Sequence, residues 1–157
     1  MQKGANKGLW RYVGRFSLIH IITYSVIAII FLHFQEMLPT VNRVALEFYK
    51  PYRPLSFLVL FAEGLRGAVL ALVLYPFYDR IVQGNHGGLV LFGALWGLAI
   101  LGSLEPLPGS IEGLIYTETT LVEHFMVLVV GAIQVMLFSW LFLRWEYRFK
   151  AEVSTND

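Results

Sequence analysis

The chain has 157 residues, 57% of them hydrophobic and only 15% charged, with mean hydropathy +0.62 and formal net charge +1. Soluble domains carry about 45–50% apolar and about 25% charged residues, so this composition excludes an ordinary water-soluble domain. The near-neutral balance excludes nucleic-acid binding by bulk charge, and the lack of cysteine excludes disulfides, thiol redox chemistry and thiolate metal ligation.

The length suits one compact unit. Four apolar stretches reach, or nearly reach, the roughly 20 residues that a membrane span requires: 16–37, 54–77, 87–104 and 121–143. The expected fold is therefore all-α, a polytopic four-transmembrane-helix up-and-down bundle. Short connections favour antiparallel neighbours.

The first stretch follows Lys3, Lys7, Arg11 and Arg15 and resembles a signal peptide in that respect. It is too long for the apolar core of one, and it ends in "FLHFQEMLP" without a small-residue cleavage pattern, so a retained span is expected. It carries His20 and Tyr24 on one face, with His33 and Glu36 near its other end. Between the first two spans, Val41, Val44, Ala45 and Phe48 follow helical spacing, with Asn42, Arg43 and Glu47 opposite. A short amphipathic helix on the outer surface is expected there.

In the second stretch, Pro54 suits the first turn of a helix and Pro76 its end. Glu63 and Arg66 sit inside it, three residues apart on one helix face and so placed to pair. Counted from Pro54 at about 1.5 Å per residue, Arg66 lies roughly 18 Å deep, near the midplane, where an isolated arginine costs about 2.5–3.5 kcal/mol. The neighbouring Gly64, Gly67, Ala68 and Ala71 allow another helix to approach closely. In the third stretch Gly93 and Gly97 repeat that small-residue spacing.

The loop "PLPGSIEGLIYTETT" combines turn residues with apolar ones. Ser110 is expected to cap a short helical turn whose Ile111, Leu114 and Ile115 rest on the bundle or dip into the membrane interface. The fourth stretch opens with Thr120-Leu121-Val122-Glu123, the pattern of a capping box, so Glu123 is first a helix cap and only second a catalytic candidate. His124 follows it. Gln134 falls near the depth of Arg66, which makes a hydrogen bond between them an expectation.

Orientation follows from lysine and arginine counts. One side holds Lys3, Lys7, Arg11, Arg15, Arg80, Arg144, Arg148 and Lys150, the other Arg43, Lys50 and Arg53. Both termini are expected in the cytoplasm. Glu105, Glu112 and Glu118 then face outward.

No phosphate-binding loop, dinucleotide fingerprint, zinc-protease or serine-hydrolase motif is present. The leading functional expectation is a binding or assembly protein. It would hold a lipid-like ligand or a partner helix over a polar floor formed by Arg66, Glu63 and Gln134. Its partners would be membrane lipid, a membrane protein or further copies of the chain. The alternative is a small membrane enzyme for a lipophilic substrate, with Glu63, His124 and perhaps Glu123 as acid and base and Arg66 as anion holder. A transporter coupled through Glu63 is disfavoured, because a carboxylate tied to arginine is a poor proton carrier. No cofactor is expected. Haem b, or a metal, between His33 and His124 is a weak alternative that rests only on their similar depth.

Overall fold

A computed structural model describes residues 2–36, 56–101, 108–116 and 120–154, and everything in them outside turns is helical. The helices are α1 (Gln2–Glu36), α2 (Phe57–Leu74), α3 (Tyr78–Val82), α4 (Gly87–Leu101), α5 (Ile111–Tyr116) and α6 (Leu121–Ser154). The segment expected to form an amphipathic helix around 41–48 lies outside the described residues.

Among the described residues, three helical stretches are long and apolar enough to cross a membrane: Gly8–Ile30, Phe57–Val82 and Leu121–Phe149. α4 is apolar but has 15 residues, about 22 Å of rise against a hydrocarbon core of about 30 Å.

Local chemistry explains the boundaries. Ser56 caps α2, its Oγ accepting from Val59 N at 3.4 Å. Pro54, expected in the first turn, lies outside the described residues. Pro76 does not stop the chain as the sequence suggests. It falls in a 3-10 turn, Tyr75–Phe77, after which the chain re-enters a helix as α3. Proline removes one main-chain donor and crowds the preceding turn, so the helix tightens to a 3-10 turn there. The result is an interrupted span whose last segment buries Ile81 and Val82.

The long helices alternate in direction. On α1 and α2, Ser17 faces Gly67 and His20 faces Glu63, an antiparallel register. On α1 and α6, Arg15 meets Glu146 and Phe16 meets Phe142 and Phe138. Packing runs α2 on α1, α1 on α6 and α6 on α4, with α3 against α4 and α6. The helices thus form a row, with α2 and α4 at its edges.

The α1–α2 contact depends on Gly67. A Cβ there would lie 2.9 Å from Ser17 Cα and 3.1 Å from His20 Cβ, so only glycine permits this approach. By contrast, a Cβ at Gly93 or Gly97 meets nothing within 4 Å. The first small-residue face is filled by α1, and the second is unfilled among the described residues.

The core gathers at the end where α1 begins and α6 finishes. It comprises Tyr12, Val13, Phe16 and Ile19 of α1, Ala71 and Leu74 of α2, Ile81 and Val82 of α3, Leu91 of α4, and Phe138, Phe142 and Leu143 of α6. Its rings pack edge-on, with Phe16 at 4.6 Å from Phe138 and 5.1 Å from Phe142 and Tyr12 at 5.3 Å from Tyr78. Toward the opposite end Ile29, Ile30, Leu121, Val122 and Phe125 are exposed.

The capping box forms at that opposite end. Thr120 N donates to Glu123 Oε2 at 2.8 Å, and Glu123 N to Thr120 Oγ1 at 3.4 Å. Ser110 caps α5, accepting from Gly113 N at 2.9 Å. Ile111, Leu114 and Ile115 do not rest on the helices. They are exposed, and the buried residue of α5 is Gly113.

Candidate functional site

Glu146 is the most deeply placed charge, with only 1% of its side chain exposed. It follows Phe138 and Phe142 at four-residue steps, so it lies on the α6 stripe that faces α1. Arg15 Nε donates to its Oε1 at 2.5 Å and Arg15 Nη2 to Oε2 at 3.1 Å. Tyr78 OH donates to Oε2 at 2.8 Å. The guanidinium also lies 4.5 Å from the centre of the Phe149 ring. One carboxylate therefore ties together α1, α3 at the end of the second span, and α6.

Glu63 forms the second polar contact, but its partner is not Arg66. His20 Nε2 and Glu63 Oε2 lie 3.1 Å apart, with side-chain exposures of 12% and 14%. α1 brings that ring within reach because Gly67 lets the two helices close. Arg66 points away and is exposed, and it forms no ion pair or hydrogen bond among the described residues. Gln134 does not reach Arg66 either: the two sit on helices separated by α1.

At the opposite end, His124 is 4% exposed and accepts from Gly109 N at its Nδ1, 2.9 Å away. Gly109 has φ +88°, a backbone conformation natural to glycine, and this aims its N–H at the ring. An accepting Nδ1 places the proton of the neutral ring on Nε2, which is buried without a partner among the described residues. The ring can therefore donate a hydrogen bond, but it cannot offer Nε2 as a metal ligand or base without losing the contact to Gly109. His33 is exposed, and no cluster of three metal-ligating side chains occurs among the described residues. The geometry lends nothing to haem or metal ligation by this pair.

The catalytic constellation expected of Glu63, Arg66 and His124 is not assembled. His20, the partner of Glu63, meets Phe138 edge-to-face, with ring centres 5.9 Å apart. His124 is fourteen residues from Phe138 on the same helix, about 21 Å along its axis. Glu123 is held in the capping box.

Between α1 and α6, beyond the core, lies a groove of ≈ 300 Å³ lined by Ile27, Ile30, Phe125, Met126, Val129, Val130 and Ile133. Its lining is apolar throughout. The expected polar floor is not part of it: His20 lies seven residues from Ile27, about 10 Å away along α1.

Sequence reasoning missed Arg15, Tyr78 and Glu146 as one unit. The signal was the 138, 142, 146 spacing, which puts a lone acid on an aromatic stripe. Comparison with protein-family models, curated proteins and solved structures finds no match to this chain.

Proposed function

We propose that the chain is a small four-span integral membrane protein, with both termini cytoplasmic, that works as a binding and assembly protein. In this proposal it holds a lipid-like chain in the groove between α1 and α6. The observation that carries it is the groove itself, an apolar cleft of ≈ 300 Å³ beside a locked core. Its volume is at the lower end of the roughly 300–1,000 Å³ typical of ligand pockets.

The chemistry fits an acyl chain. Lipid tails gain no hydrophobic free energy by leaving other tails, so retention depends on close packing in a preformed shape. The Glu146 clamp and the Phe16, Phe138 and Phe142 rings fix α1 against α6 at one end. The groove opens where that packing stops. Met126, unbranched and polarisable, suits an irregular occupant.

Alternating helix directions support placing both termini on one side, and the lysine and arginine asymmetry supports that side being the cytoplasm. α4 counts as the fourth span in this proposal, its 15 apolar residues running antiparallel to α6. Mass spectrometry of protein purified in mild detergent tests the proposal. A stoichiometric lipid-like adduct is expected on the native chain, and Val130→Trp should displace it while leaving thermal stability intact. Equal adduct on both proteins overturns it.

A further inference from the structure

We propose that two copies of the chain pair through α2, with Arg66 of each copy reaching the Glu63 carboxylate of the other. This goes beyond the groove proposal and rests on different residues.

α2 stands at an edge of the helix row and is the least enclosed long span among the described residues, with 17% of its apolar stretch buried against 39% for α1. Arg66 emerges from it about 14 Å from the helix start at Phe57, too deep for easy snorkelling. It is exposed and makes no polar contact among the described residues. A guanidinium at that depth calls for a carboxylate or carbonyl partner at the same level. Lipid phosphates lie at the membrane surface, so the charge points to a protein partner.

Among the described residues, the chain offers one carboxylate at that level. Glu63 uses Oε2 for His20, while Oε1 has no partner among the described residues and is not sealed from the surface. The carboxylate can accept from a second donor without giving up the first. Arg66 follows Glu63 by three residues, which sets the two on neighbouring flanks of one helix.

A two-fold axis normal to the membrane sets two α2 helices side by side and parallel. Such an interface is isologous: residue i meets residue j of the partner, and j meets i. Arg66 then faces the partner copy's Glu63 twice, and the four charges cancel. Ala62, exposed and small, lies on the same flank and allows close approach.

The chain has no cysteine, so a single Ala62→Cys reports the contact cleanly. Oxidation of membranes carrying this variant should yield a disulfide-linked dimer. Adding Arg66→Gln or Glu63→Gln should lower the association constant about tenfold or more. Mixing the two charge variants in one membrane, on differently tagged chains, restores one of the two bridges. Recovery of mixed dimer above either variant alone is the expected result. No linkage at Ala62→Cys, linkage insensitive to Arg66→Gln, or no recovery on mixing would each overturn the pairing. So would an unlinked chain whose thermal stability rises in phosphatidylglycerol over phosphatidylcholine only when Arg66 is present; that outcome would assign the guanidinium to a lipid phosphate. Thermal unfolding of each variant verifies that the core is folded. Lipid adduct in the groove is unaffected in every case.

Discussion

Removing the Glu146 carboxylate should cost more than any other single side-chain change. Glu146→Ala deletes three hydrogen bonds at once, two from Arg15 and one from Tyr78, at a site 1% exposed. Arg15, 14% exposed, is then left as an uncompensated charge beside aromatic rings. Breaking a buried ion pair by removing one partner costs about 3–5 kcal/mol. Contact with the Phe149 ring offsets about 0.5–1 kcal/mol of the arginine term. The net expectation is about 2–4.5 kcal/mol, a large share of the roughly 5–15 kcal/mol that keeps a typical domain folded. Unfolding in detergent, followed by the fluorescence of Trp140 and Trp145, reads the loss. The double variant Arg15→Met, Glu146→Leu removes both charges together and should recover most of the stability, since apolar replacement of a buried pair is often neutral or favourable. A Glu146→Ala protein within about 1 kcal/mol of the native one, or a double variant no better than either single change, would refute the clamp.

Gly67→Ala should destabilise by about 1–3 kcal/mol, because its Cβ meets the Ser17 main chain at 2.9 Å. Gly93→Ala, with nothing within 4 Å, should be neutral or stabilise by up to about 1 kcal/mol in the same unfolding assay. Ser139, 3% exposed, buries a hydroxyl without a partner among the described residues, so Ser139→Ala should leave stability unchanged or raise it by about 1 kcal/mol. His124→Phe removes the acceptor of Gly109 N–H and should cost about 1–3 kcal/mol; hydrogen exchange at Gly109 should then accelerate.

Local signals were legible in the sequence because short-range chemistry decides them. Thr120 and Glu123 form their box within four residues, Ser110 caps α5 three residues on, and the small face around Gly67 receives a helix. What could not be read is which helix fills which face. Glu63 and Arg66 satisfy the spacing rule for a pair, yet the neighbour that arrives is α1, and it brings His20. Glu146 and Arg15 are separated by 131 positions, so their meeting follows from the antiparallel register of α1 and α6. Pro76 marks an irregularity correctly. Whether a helix ends or bends at a proline depends on the packing beyond it, here Ile81 and Val82 in the core. The groove follows from where α1 and α6 stop interlocking, a property of two helices together.

Lipid capture in the groove is tested most directly by photolabelling with a phospholipid that carries a diazirine on its acyl chain, followed by peptide mapping. Labelling concentrated on Ile27, Ile30, Met126 and Val130 above that on Leu89 and Leu98, which are exposed on α4, is the expected result. Equal labelling of both sets would mean that lipid only surrounds the helices and that the groove holds nothing of its own.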